Sequence, residues 1–84
     1  MINKAILFFI HEQKISQYKL AQIIGVGRPT IKKACANGSN PTFKTLIKIA
    51  GGLGVTVGQM ADKAHEIKKL SKSELSDFNK MIGE

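Results

Sequence analysis

The chain has 84 residues, of which 43% are hydrophobic and 23% are charged, and its formal net charge is +7. This length is typical of one small domain, and it leaves too little buried volume for a large enclosed substrate cavity. No apolar run approaches the roughly 18 residues of a membrane span, and the run at 5–10 is too short for a signal peptide, so we expect a cytoplasmic protein with no membrane partner.

The excess positive charge lies in the first part of the chain. Residues 1–60 contain eight Lys or Arg and one acid, Glu12, whereas residues 61–84 contain five charges of each sign. A local excess of this kind attracts a polyanion, and nucleic acid is the polyanion that a small cytoplasmic domain most commonly meets. The alternative is a basic surface that only keeps the protein in solution.

The spacing of apolar residues, which recur every three or four positions, predicts an all-α fold. The first helix is predicted over residues 3–13, and its apolar run at 6–10 covers nearly the whole circumference, which predicts burial on more than one side. Ser16 is a favourable N-cap for a second helix over residues 17–24, and Gly25 is expected to end it.

The third helix is predicted over residues 28–36, with Gly27 as its cap and Pro29 in its first turn. Asn37 and Gly38 are expected to form its left-handed exit. Thr42 is a suitable cap for a fourth helix over residues 43–51, and "GGLG" at 51–54 is interpreted as the end of that helix and a turn. Thr56 is a suitable cap for a fifth helix over residues 57–69.

A sixth helix is predicted after the sequence "SKSE" at 71–74, which has the spacing of a capping box. Its apolar residues fall on one side: Leu75, Phe78, Met81 and Ile82. These residues either fold back on the first helix, at Leu7, Phe8 or Phe9, or pair with a second copy of the chain. The sequence leaves both arrangements open.

The third helix is predicted to have two chemically different faces. At 100° per residue, one arc of about 140° carries Arg28, Pro29, Lys32, Lys33 and Ala36, with three cations and no acid. The opposite arc carries Thr30, Ile31, Ala34 and Cys35, and is expected to face the core. Two short helices joined by a tight turn, the second basic outside and apolar inside, are what a helix-turn-helix reader of the major groove requires.

Two segments of the sequence resemble the Cro/phage-repressor type of helix-turn-helix domain, also called the XRE family. "ISQYKLAQIIGVGRPTI" at 15–31 resembles the family's Ser-Gln-x-x-Leu-Ala, its Gly-Val turn and its recognition helix. "NPTFKTLIKIAGGLGVT" at 40–56 resembles its Asn-Pro-x-x-x-x-Leu-x-x-Ile-Ala and Leu-Gly-Val endings. The resemblance covers residues 2–61.

What the resemblance implies is a five-helix, lambda-repressor-like domain with an additional C-terminal helix. We expect a helix-turn-helix domain over residues 1–69, with the motif itself at about 17–36, and a C-terminal helix within 70–84 for packing or dimerisation. The expected partners are double-stranded DNA and a second copy of the chain, and the expected function is a repressor that reads a palindromic operator.

The resemblance also implies roles for individual residues. Gln17 would hydrogen-bond a phosphate, Arg28 and Pro29 would face bases in the first turn of the recognition helix, and the lysines would lie one turn further along. Three residues fall in the loop that follows the DNA backbone in such domains. The complete predicted set is Gln17, Arg28, Pro29, Thr30, Lys32, Lys33, Asn37, Ser39 and Asn40.

The chain departs from the family pattern at Ile10, Cys35 and Asn37, and Pro29 is unusual at a base-facing position. The family usually has an arginine where this chain has Ile10 and a glutamate where it has Cys35, and those two form a partly buried ion pair. Both partners are apolar here, which predicts packing between them, because no lone charge is left behind. Asn37 replaces the family's helix-ending glycine, and asparagine tolerates the left-handed conformation better than most residues do.

Catalytic and ligand-binding interpretations have little support in the sequence. Cys35 is expected to be a small packing residue, and His11 and His65 lie too far apart in sequence to suggest a metal site. Gly25 and Gly27 lack the Lys-Ser/Thr ending of a nucleotide-binding loop. We therefore expect no catalysis, no cofactor, no metal and no small-molecule ligand.

Two alternative functions remain open. A restriction-modification controller or an antitoxin can have the same fold, and so can an adaptor that binds RNA or protein and has lost base readout.

Overall fold

The computed structural model describes residues 2–83, so Met1 and Glu84, which begin and end the two expected segments, lie outside the described residues. Residues 2–83 form six helices and no strand, which confirms the all-α prediction. None of these helices is both long enough and apolar enough to cross a membrane. The helices are α1 (Ile2–Glu12), α2 (Gln17–Ile24), α3 (Arg28–Cys35), α4 (Phe43–Leu53), α5 (Val57–Lys68) and α6 (Lys72–Met81).

The caps that the sequence predicted are present at most helix ends. Ser16 accepts a hydrogen bond from the backbone of Lys19 at 2.9 Å, and Gly25 ends α2 in the left-handed conformation. Thr42 and Thr56 cap α4 and α5 in the same way. Each cap satisfies a backbone donor that would otherwise lack a partner, so the helix starts are encoded locally.

The cap of α6 is a reciprocal capping box between Ser71 and Glu74. Ser71 accepts from the backbone of Glu74 at 3.2 Å, and the backbone N–H of Ser71 donates to the Glu74 carboxylate at 3.0 Å. The hydrogen bond from the Ser71 backbone, followed by that from its side chain, lowers the pKa of Glu74 below the ordinary value of a glutamate.

Helix α4 continues for two residues beyond its predicted end at about residue 51, to Leu53, and ends within the predicted stretch 51–54. Gly54, at φ +70, is the left-handed residue that ends it. Gly52 lies inside the helix where α4 meets α2, and a Cβ there would overlap the side chain of Ile24. This glycine therefore permits close helix packing and does not terminate the helix.

The predicted left-handed role of Asn37 was wrong. The left-handed residue after α3 is Gly38, at φ +75, whereas Ala36 ends the helix in an extended conformation. The backbone N–H of Ser39 donates to the Ala36 carbonyl at 3.1 Å, and its hydroxyl donates to the Ala34 carbonyl at 2.7 Å. These bonds close the turn at a glycine, where no Cβ strain arises.

The core lies between the first five helices. Each of them contributes one large, fully buried side chain: Ile6, Leu20, Ile31, Ile49 and Met60. Helix α1 packs most extensively on α5 and also contacts α3 and α4, so the predicted burial on more than one side is confirmed. Ile10 and Cys35 are 6% and 5% exposed in this same core, as expected for an apolar replacement of an ion pair.

Helix α6 folds back on α1 of the same chain. The ring of Phe78 stacks on Phe8 with centroids 6.2 Å apart and planes 15° apart, and Lys4 donates to Asn79 Oδ1 at 2.7 Å. Ile82 packs against the edge of the core. The structure therefore contains the intramolecular arrangement of the two that the sequence left open.

Candidate nucleic-acid interface

The start of α3 presents Arg28 at its tip. Gly27 is the N-cap and has no side chain to cover the helix end, and Pro29 occupies the first turn, where its missing N–H leaves no unpaired donor. The first hydrogen bond of the turn runs from Thr30 N–H to the Gly27 carbonyl at 3.1 Å. The guanidinium is consequently carried at the exposed beginning of the helix.

The two faces of α3 differ as the sequence predicted, with one exception. Ile31, Ala34 and Cys35 are buried against the core, whereas Arg28, Pro29, Lys32 and Lys33 are exposed. Thr30 was projected onto the inner arc but is exposed, because it lies at the edge of that arc in the first turn of a short helix. The outer face thus includes a hydroxyl beside its cations.

Two open grooves flank the exposed face of α3, and together they are lined by all nine predicted residues. The first lies between α3 and the start of α2, and four of the nine line it: Gln17, Arg28, Pro29 and Lys32. The second lies between α3, the following loop and the start of α4, and the other five line it: Thr30, Lys33, Asn37, Ser39 and Asn40. The fold therefore brings these nine residues to the two grooves on either side of α3.

Arg28 is held by an aromatic ring at the edge of the first groove. Its guanidinium carbon lies 5.0 Å from the centroid of Tyr18, which is within the range of a cation–π contact. Tyr18 is 49% exposed and follows Gln17 in the first turn of α2. Within residues 2–83, this ring is the only partner of the guanidinium.

The loop after α3 is held against the end of that helix by a hydrogen bond from one of its own side chains. Ser39 is half-buried, and its hydroxyl is engaged with the carbonyl of Ala34, whereas Asn37 and Asn40 are exposed. The amide groups of these two asparagines are therefore free to donate into the second groove, while Ser39 fixes the loop against the end of α3.

Three residues of this surface were missed by the sequence analysis. Tyr18 lines the first groove, and Thr42 and Thr45, whose hydroxyls lie 3.0 Å apart, line the second. The cap role of Thr42 was the available signal for the threonine pair. No local pattern indicated Tyr18, because its contact with Arg28 depends on how α2 and α3 cross.

The charge of this surface is uniformly positive. Its cations are Arg28, Lys32 and Lys33, and the only acid in residues 1–60 is Glu12, at the end of α1. Within residues 2–83, no group of His, Cys, Asp and Glu is arranged to hold a metal ion. The chemistry that the surface offers is therefore hydrogen-bond donation and electrostatic attraction toward an anion.

Comparison with known families agrees with this geometry. A helix-turn-helix family model matches residues 10–60, which is more than half of the chain and includes α2, α3 and both grooves. The chain belongs to this family, the Cro/phage-repressor or XRE type, which is a family of DNA-binding transcription regulators. No match was found among curated proteins or among solved structures.

Proposed function

We propose that the protein is a cytoplasmic transcriptional repressor that binds double-stranded DNA sequence-specifically and reads a palindromic operator as a homodimer. The observation that carries the proposal is the exposed face of α3, where three cations and no acid lie between two open grooves. Repression would follow from occupation of the operator, with no catalytic step.

Helix α3 is suited to enter the major groove as a rigid element. The major groove of B-DNA is about 12 Å wide and admits one α-helix. The inner side of α3 is fixed by the buried Ile31, Ala34 and Cys35, so its outer side can approach DNA without loss of core packing. We assign α3 as the recognition helix on this basis.

Base readout is assigned to the first turn of α3. Arg28 can donate two hydrogen bonds to the O6 and N7 of guanine, which discriminate against other bases by about 1 to 3 kcal/mol. Pro29 has neither a backbone donor nor a polar side chain, so its contact is apolar and suits the methyl group of thymine.

Phosphate contacts are assigned to the rest of the surface. Lys32 and Lys33 supply affinity that depends on salt, and Gln17 donates at the start of α2, where helix N–H groups also point outward. Asn37 and Asn40 donate from the loop. Ser39 already donates its hydroxyl proton to Ala34, so we assign it to positioning the loop.

The geometry of DNA favours a homodimer. Two recognition helices about 34 Å apart match one turn of the duplex and read two half-sites of a palindrome. Phe78 and Ile82 of α6 are already packed within the chain. Phe43 and Ile47 lie one turn apart on α4, are 67% and 51% exposed, and are apolar residues that remain open to a second copy.

The proposal is tested by selecting bound duplexes from a random pool at about 0.15 M salt, near physiological ionic strength. We expect a palindromic consensus that contains guanine in each half-site. A featureless pool bound with steep salt dependence would contradict base readout and would leave only an electrostatic interaction with the backbone. Preference for single-stranded RNA over every duplex would instead indicate an adaptor.

The role of Arg28 is tested on the selected operator. Arg28→Ala is expected to lose about 1 to 3 kcal/mol of binding free energy on the guanine-containing site and little on a site with that pair exchanged. Lys80→Ala, an exposed cation on α6, is the control and is expected to retain the base preference. An unchanged preference in Arg28→Ala would disprove the assignment.

A further inference from the structure

We propose that Tyr18 is a positioning residue that holds the guanidinium of Arg28 ready for guanine and thereby sets the stringency of base recognition at that pair. This inference rests on the proposed function, because it needs Arg28 to read a base. It adds a residue that lies outside the predicted DNA-binding set and gives it a role in base recognition.

The proposal rests on a direct contact between Tyr18 and Arg28. The guanidinium carbon of Arg28 lies 5.0 Å from the centroid of the Tyr18 ring, and within residues 2–83 it has no other partner. No carboxylate competes for it on this surface, because Glu12 is the only acid in residues 1–60. The ring is therefore the group that attracts the guanidinium in the free protein.

The chemistry of the contact leaves Arg28 able to bind. A ring attracts the cation through its face and takes none of the five N–H donors in a hydrogen bond, so the donors remain available to a base. A carboxylate would have occupied two of them. Tyr18 thus orders the side chain without using the groups that read guanine.

Ordering the side chain before binding changes affinity and selectivity. A free arginine loses rotamer freedom when it forms a two-bond contact, and a side chain that is already positioned loses less. The advantage applies only where both bonds form, which is on guanine. An exposed cation–π contact corresponds to a factor of about two to five in an equilibrium constant.

The location of Tyr18 allows its ring to act from outside the core. It lies in the first turn of α2, is 49% exposed and lines the same groove as Arg28, Pro29 and Lys32. Because half of the side chain faces solvent, its replacement is not expected to unfold the domain. Base preference and stability can therefore be measured separately.

The experiment measures the preference for guanine at the Arg28-read pair, as the ratio of dissociation constants for the selected operator and for one with that pair exchanged. Tyr18→Leu keeps an apolar side chain but removes the aromatic face, and is expected to lower this ratio about two- to fivefold. Tyr18→Phe keeps the ring and is the matched control, with an expected ratio equal to that of the wild type. Thermal unfolding of both variants is expected to match that of the wild type.

Coupling between the residues is tested in the Arg28→Ala background. There, Tyr18→Leu is expected to leave the base preference unchanged, since no guanidinium remains to be positioned. An effect that persists in this background, or one that Tyr18→Phe reproduces, would show direct DNA contact by Tyr18 and would overturn the proposal.

The failure of this inference can be told apart from the failure of the proposed function. A featureless selected pool would overturn both, because no base would be read. A palindromic operator whose guanine preference depends on Arg28 but is the same in wild type and Tyr18→Leu would overturn the role of Tyr18 alone.

Discussion

Gly51 and Gly52 are neighbours in α4 but have different surroundings. A Cβ at residue 52 would overlap Ile24 Cγ2 and lie 3.0 Å from Leu20 Cδ1, whereas a Cβ at residue 51 would meet no atom within 4 Å. Gly52 is therefore the point at which α4 makes its close approach to α2. The position of the helix-turn-helix on the rest of the domain depends on this missing side chain.

These two glycines provide a matched pair of variants. Gly52→Ala is expected to lower the free energy of unfolding by about 1 to 3 kcal/mol, because the added methyl group forces α2 away from α4. Gly51→Ala is expected to raise it by about 0.5 to 1 kcal/mol, because alanine restricts the unfolded chain in an open helical position. Urea unfolding followed by circular dichroism measures both, and equal effects would contradict the assigned packing.

The pair Ile10 and Cys35 shows how a family feature can be replaced at both ends. Both residues are nearly fully buried, and α1 contacts α3 directly. A single charged residue at either position would be a buried ion without a partner, which is strongly destabilising, whereas two apolar residues avoid the desolvation of both charges. The link between the first helix and the recognition helix is therefore maintained by packing.

At the scale of elements, α6 is attached to the domain by a few specific contacts. The ring of Phe78 stacks on the ring of Phe8, and Lys63 Nζ lies 4.3 Å from the centroid of the Phe8 ring. Lys4 adds its hydrogen bond to Asn79. Since no residue of α6 is fully buried, the helix contributes less to the core than α1 to α5 do.

The contribution of this docking can be measured at Phe78. Phe78→Ala is expected to lower the free energy of unfolding by about 1 to 2 kcal/mol, because the ring is half-buried and stacked on Phe8. Met81→Ala, on the same helix but exposed, is expected to change it by less than about 0.5 kcal/mol. Chemical denaturation provides the values. If Phe78→Ala were as mild as Met81→Ala, α6 would not be docked as described.

At the scale of the whole molecule, the positive charge is confined to the first part of the chain. The net charge of +7 comes entirely from residues 1–60, which contain α1 to α4 and the residues of both grooves, while residues 61–84 have no net charge. A polyanion is therefore attracted to one part of the molecule. In the proposed homodimer, the neutral part, which includes most of α5 and all of α6, would add no net repulsion between the two copies.

Salt dependence tests this division of charge. The logarithm of the binding constant is expected to fall linearly with the logarithm of salt concentration, by about 0.9 per phosphate neutralised. Lys33→Ala is expected to reduce the slope by about 1, and Lys72→Ala, an exposed cation in the neutral part, is expected to leave it unchanged. Titrations at several salt concentrations measure the slopes. An equal change in both variants would contradict the assignment of the DNA contact to the exposed face of α3.

Most of the fold could be predicted because helix ends are decided by few residues. Ser16, Thr42, Thr56 and Ser71 each lie three positions before the backbone donor they accept from, and that spacing is visible in the sequence. The end of α4 could not be predicted in this way. Gly52 stays inside the helix, and the absence of a side chain there is explained by the close approach of Ile24 in α2, far earlier in the chain.

The candidate site, too, could be predicted only in part from the sequence. The sequence alone determined that one helix, α3, would carry cations outside and apolar residues inside, because periodicity assigns side chains to helix faces. Only the tertiary structure decided that Tyr18 meets Arg28, that Ser39 is turned toward Ala34 and that Phe78 lies on Phe8. These contacts depend on how separate helices and loops pack against one another. The spacing of residues along the chain does not specify that packing.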